Sequence, residues 1–196
     1  MVPTSPYDRA LGAGARVEVT SRAEPLRRVV HVAVGLPAFF LDRSTVTFFI
    51  GACVAGAVFN AVVLRLVPIF REVRDVPRGS AGTVLYPATL AVLLVLFRDR
   101  PELVKVGWIM LAFGDGLVPL FARLGGPRWP TVEGKRVIPS VFAAACAALV
   151  AWPATDWKLA FAGAAAAVFA DAIPRVDDNI AWPVLGVLGA WGAYAA

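Results

Sequence analysis

Histidine occurs once in this chain of 196 residues, at His31, and cysteine only twice, at Cys53 and Cys146. With no Cys-x-x-Cys pair and no Cys/His cluster, the familiar zinc sites are excluded. Both cysteines sit in apolar runs, where a free thiol behaves as a small hydrophobe. Charge is scarce too: 17% of residues carry it, against about a quarter in soluble domains. The first 22 residues lack the basic start and prompt apolar stretch of a signal peptide. The chain also shows no internal repeat and no low-complexity linker.

What fills the chain is apolar: 59% of residues, with a mean hydropathy of +0.70. That composition excludes disordered and collagen-like chains. Ser44 to Leu64, Gly79 to Phe97, Val137 to Thr155 and Asn179 to Ala196 contain no Asp, Glu, Lys or Arg. Runs of about 18 or more such residues are long enough to cross a bilayer as helices. The expected fold is all-α, a polytopic membrane bundle of about seven transmembrane helices. The candidate spans are Arg28–Leu41, Thr45–Leu66, Gly82–Phe97, Glu102–Leu124, Val137–Ala154, Trp157–Ile173 and Asn179–Tyr194. A polar tail, residues 1–24, precedes a single membrane-embedded domain, residues 25–196.

Lys and Arg set the sidedness. Seven spans place fourteen on one face: Arg9, Arg16, Arg22, Arg27, Arg28, Arg65, Arg71, Arg74, Arg78, Arg123, Arg128, Lys135, Arg136 and Arg175. The other face receives five: Arg43, Arg98, Arg100, Lys105 and Lys158. The richer face is predicted to be cytoplasmic and to hold the N-terminus. The net charge of +5 is therefore topological and implies no nucleic-acid partner. Small-residue pairs Gly51/Ala55 and Ala52/Gly56 would allow close helix packing, including in a homo-oligomer.

The charges that break this pattern point to chemistry. Asp115 lies inside a span, where a carboxylate costs about 2.5–3.5 kcal/mol on insertion scales. Gly114 and Gly116 flank it and Pro119 follows, so a broken helix lining a cavity is expected. Pairing with Lys105, Arg123 or another helix is the plainer alternative. His31 shares a helical face with Arg27 and Arg28, which suits either a phosphate or an anchored span end. Arg78, Gly79, Ser80 and Gly82 lead into the third span, either as a phosphate-approaching turn or as an ordinary one. Glu133, Gly134, Lys135 and Arg136 suit a phosphate clamp or a positive-inside loop. Asp171, Asp177 and Asp178 gather three acids on the positive face, a natural site for Mg²⁺ with phosphate oxygens, or else a solvated turn.

In order, Arg27-Arg28-Val29-Val30-His31, Pro77-Arg78-Gly79-Ser80-Ala81-Gly82 with Tyr86-Pro87, Gly114-Asp115, Thr131-Val132-Glu133-Gly134, and Asp171 with Asp178-Asn179-Ile180 and Pro183 resemble the dolichol kinase and phytol kinase family. That family includes the CTP-dependent diacylglycerol kinases, and the resemblance covers about residues 25–185. It implies a multi-span enzyme that moves a phosphoryl group, typically from CTP, to a lipid alcohol such as phytol, geranylgeraniol or another polyprenol. The chain departs from the family at Pro130, where a Lys is common, at Lys135, where a small hydroxyl residue is usual, and at Asp171, where Glu is typical.

The implied roles follow the motifs. Asp178 and Asn179 take the metal–triphosphate end, with Asp171 and Asp115 as further metal ligands. Arg78, Lys135 and Arg136 hold phosphates with the Gly79–Gly82 amides, Glu133 and Gly134. Asp115 binds metal or accepts the alcohol proton, and His31 with Arg28 orients phosphate. A phosphatidate cytidylyltransferase, which attaches CMP to a lipid phosphate, is the nearest alternative. A small ion-coupled transporter is the reading from another class, disfavoured by the absence of inverted repeats.

Overall fold

The computed structural model describes residues 29–66 and 79–196. The N-terminal tail, Arg28 and Arg78 lie outside the described residues. Every regular element described is helical. Helix α1 covers residues 29–33 and is followed by a 3₁₀ turn, Leu36–Phe40. Then come α2 (Val46–Leu66), α3 (Gly79–Leu96), α4 (Pro101–Leu124), α5 (Val137–Ala154), α6 (Trp157–Ala167, prolonged by a 3₁₀ turn Val168–Ala172) and α7 (Asp178–Ala195). Of these, α4 and α5 are long and apolar enough to cross a membrane. Residues 46–62 and 82–96 form shorter apolar helices.

Local chemistry starts these helices. The Asp42 carboxylate accepts from the Ser44 and Thr45 amides at 2.8 and 2.9 Å, turning the chain into α2. Its bonds to the Ser44 hydroxyl and the Thr45 amide lower its pKa to about 2. Pro101, which has no amide proton to lose, opens α4. Asp156 caps α6 through the Lys158 amide at 2.7 Å, and Asp177 caps α7 through the Asn179 amide at 2.9 Å.

Helices α2 and α3 run antiparallel. Asn60 donates to the Thr83 carbonyl at 2.7 Å near one end, and Arg98 to the Thr47 hydroxyl at 3.0 Å near the other. Helix α4 is the central post: Leu103, Val104, Val106, Ile109, Met110 and Leu111 are all fully buried. Helices α6 and α7 close on it because glycine stands at the crossings. A methyl group at Gly163 would lie 2.4 Å from Val106 Cγ1, and one at Gly107 would lie 2.6 Å from the Pro183 carbonyl. Large apolar side chains also face outward, among them Phe48, Val58, Val92, Leu96, Phe142 and Leu149. Helices that are apolar on every side suit a hydrocarbon surrounding.

One expectation needs correcting. The glycines around Asp115 do not break α4; the helix widens into a π turn, Met110–Asp115, and runs on through Gly116. The reason is packing. A methyl group at Gly114 would lie 2.4 Å from the Trp182 ring, and one at Gly116 would lie 3.2 Å from His31 Cδ2. These glycines make room for an indole and an imidazole. A single π turn of this kind is common at functional sites.

Candidate functional site

A cavity of about 480 Å³ lies among α1, α2, α3, α4 and the start of α7. The order of residues along the helices makes it two-ended. His31, Asn60, Thr83, Asp115 and Asn179 line one end, and Pro37, Phe48, Phe49 and Leu90 line the other. Val34 and Phe48 are exposed where the cavity opens beside α1 and α2. Ala52 and Gly56, two small residues expected at a helix–helix contact, also line this cavity, with Gly56 facing Pro87 of α3.

His31 and Asp115 meet at the polar end. His31 Nε2 lies 3.5 Å from Asp115 Oδ2 and 3.1 Å from the Leu111 carbonyl oxygen in the π turn. A carbonyl only accepts, so this ring nitrogen carries the proton. Lys105, an expected partner of Asp115, turns instead to the Ala154 carbonyl at 3.4 Å. Asn179 reaches the cavity from the first turn of α7, and a methyl group at Gly82 would lie 2.8 Å from its side-chain nitrogen. Gly82 thus lies against the Asn179 amide, which a methyl group there would push aside. Gly79 and Ser80 open the same helix.

Beside Asn179 lies a second cluster, closed by the loop between α4 and α5. Lys135 Nζ bonds Asp171 Oδ1 at 2.8 Å and also Asp178 Oδ1. Asp171, 2% exposed, further accepts from the Ser140 hydroxyl at 2.5 Å and the Trp182 indole at 3.4 Å. Desolvation pulls the Lys135 ammonium down, but its bonds to Asp171 and Asp178 outweigh that and raise its pKa above the ordinary lysine value. The Thr131 hydroxyl donates to the Ala172 carbonyl and pins the loop to the same place. Gly134 (φ +85°) makes the turn that presents Lys135. Asp115 lies within electrostatic reach of Asp178, Asp171 and Lys135.

The structure thus brings together His31, Asp115 and Asn179 in the cavity, with Asp171, Asp178 and Lys135 beside them. It separates others. Arg136 spends its guanidinium on the Gly126 carbonyl at 2.9 Å, holding its own loop, and Glu133 and Gly134 are exposed. Both oxygens of Asp171 are engaged by protein donors, which makes it a support for Lys135. Among the described residues, no three His, Cys, Asp or Glu side chains assemble into a metal cage. Mg²⁺ needs only one or two carboxylates when substrate phosphates and waters complete its shell, so a site for it would have to draw on carboxylates such as Asp178 and Asp115.

Asn60, Ser140 and Trp182 have no part in the sequence motifs, and Tyr86 enters only within Tyr86-Pro87 without a role, yet all four stand in these clusters. A faint signal existed: Asn60 is the one side-chain amide in the charge-free run Ser44 to Leu64. No protein-family model, curated protein or solved structure matches the chain.

Proposed function

We propose that this chain is a multi-pass membrane kinase of lipid alcohols, with its active site at the cytoplasmic ends of the helices. The phosphoryl donor is a nucleoside triphosphate, CTP by the resemblance, and the acceptor is an isoprenoid alcohol. The observation that carries this reading is the two-ended cavity, which joins His31, Asp115 and Asn179 to an apolar channel opening beside α1 and α2. A long-chain alcohol has the same division, one polar atom on an apolar tail. The seven-span topology with a cytoplasmic N-terminus rests on the fourteen-to-five partition of cations and belongs to the same proposal.

Phosphoryl transfer asks the protein for alignment and charge neutralisation. In this reading the alcohol tail lies along Phe48, Phe49 and Leu90, and its hydroxyl reaches Asp115. The alcohol oxygen bonds the γ-phosphorus, the bond from that phosphorus to the β-bridging oxygen breaks, and the hydroxyl proton passes to Asp115. The nucleoside diphosphate leaves. His31 Nε2 stands 3.5 Å from the Asp115 carboxylate, with its N–H held by the Leu111 carbonyl. Lys135, steadied by Asp171, stands where the family's missing lysine charge is needed, and Asn179 faces the nucleotide. Asp178 would hold Mg²⁺, which when bound neutralises triphosphate charge.

The test is a panel of phytol, geranylgeraniol, longer polyprenols and diacylglycerol against CTP, ATP, GTP and UTP, in membranes containing the protein. Phosphorylation of an isoprenoid alcohol, lost in Asp178→Asn at limiting Mg²⁺, is the expected result. No lipid phosphate with any pairing contradicts it.

A further inference from the structure

Tyr86 lies on α3 with 6% exposure and lines the cavity. Its hydroxyl is 3.2 Å from Trp108 Nε1. An indole N–H can only donate, so the Tyr86 oxygen is the acceptor in this bond and its own hydrogen is not used. Among the described residues that hydrogen has no acceptor. The ring is held from one further side, where His31 packs edge-on at 5.1 Å between centroids, and Trp108 is itself braced by Phe49 at 5.6 Å. A phenol is thus fixed in place at a cavity wall with a proton to give and, among the described residues, nothing to take it. Leaving a buried donor unsatisfied costs about 1–3 kcal/mol, so an acceptor brought by a ligand is favoured there.

We propose that Tyr86 reads the oxygen of the cavity's ligand, donating its O–H to the oxygen of a long-chain alcohol while Trp108 fixes the direction of the bond. This deepens the reading of the cavity as a lipid-alcohol site and rests on it. It makes Tyr86 a specificity residue: a ligand oxygen is selected over plain hydrocarbon because only oxygen accepts. The selection needs an acceptor and not a donor, so an ether oxygen at the same place satisfies Tyr86 as well as a hydroxyl does.

The experiment reads binding without chemistry. The full chain in phosphatidylcholine nanodiscs is loaded with a pyrene-labelled long-chain alcohol, which hexadecanol, hexadecyl methyl ether or hexadecane then displaces. The ether is expected to bind roughly tenfold more tightly than hexadecane, the effect of one net hydrogen bond, and hexadecanol at least as tightly as the ether because its hydroxyl also reaches Asp115. Tyr86→Phe is expected to bind the ether and hexadecane alike. A preference for the ether over hexadecane that is absent from the wild type, or kept in Tyr86→Phe, overturns the proposal. Should Tyr86→Phe fail to fold, replacing the three tyrosines by 3-fluorotyrosine, a stronger donor of nearly equal size, decides the matter. It is expected to raise affinity for the ether several-fold and not for hexadecane, and an unchanged ether affinity overturns the assignment. Phosphate transfer enters none of these measurements, so a chain that selects oxygen through Tyr86 but makes no lipid phosphate refutes the kinase reading alone.

Discussion

Lys135 Nζ stands 2.8 Å from Asp171 Oδ1, across 36 residues of sequence, and its second bond goes to Asp178. One ammonium therefore ties the loop after α4 to both ends of the connection between α6 and α7. That connection delivers Asn179 to the cavity, so the pair supports the site as well as the fold.

Lys135→Met leaves Asp171 buried without its cation. Removing one partner of a buried pair costs about 3–5 kcal/mol, and the lower end applies because Lys135 is partly exposed. Asp171→Asn alone strands the ammonium, which still has Asp178. In the double variant neither charge is stranded against the other, so the two losses are expected not to add, with a coupling of about 1–3 kcal/mol. Denaturation of the four proteins in one detergent measures it, and simple additivity would show that the contact carries no energy.

Glycines on a single helix should differ sharply. A methyl group at Gly189 would lie 2.4 Å from the Ala162 carbonyl oxygen, whereas one at Gly192 meets nothing within 4 Å. Gly189→Ala is expected to cost about 1–3 kcal/mol by overpacking α6 against α7. Gly192→Ala should stay within about 0.5 kcal/mol of wild type or stabilise slightly. Thermal unfolding of the two variants compares them directly.

Asp115→Asn keeps the shape of the side chain and removes the carboxylate beside His31. Turnover of lipid alcohol is predicted to fall by about 10²–10⁴, the usual range for a lost general base, with thermal stability maintained or raised because a charge at depth is gone. Full activity in this variant would take Asp115 out of the reaction.

Chelation with EDTA should abolish transfer and added Mg²⁺ should restore it. Asp178→Asn is expected to need roughly tenfold more Mg²⁺ for half-maximal rate, with less change in the KM for alcohol. An unaltered Mg²⁺ requirement would leave Asp178 only its bond to Lys135.

Helix positions were legible because freedom from charge is a local property. The expected segments Thr45–Leu66, Val137–Ala154 and Asn179–Tyr194 meet the observed helices to within a residue or two. Asp115 stood out for the same reason, as a charge in an apolar run. Its setting was not legible: Gly114 and Gly116 suggested a break, yet they accommodate Trp182 and His31, neighbours distant in sequence. The partnership of Lys135 with Asp171, and of Tyr86 with Trp108, likewise depends on how helices cross. No spacing rule along one helix contains that information.

The most direct test of the central claim uses CTP labelled separately at its α and γ phosphates, supplied to membranes that contain the protein and an isoprenoid alcohol. Label from the γ position is predicted in the lipid and none from the α position. Label from the α position in the lipid, or from neither, would contradict a kinase, the first result indicating transfer of a CMP unit.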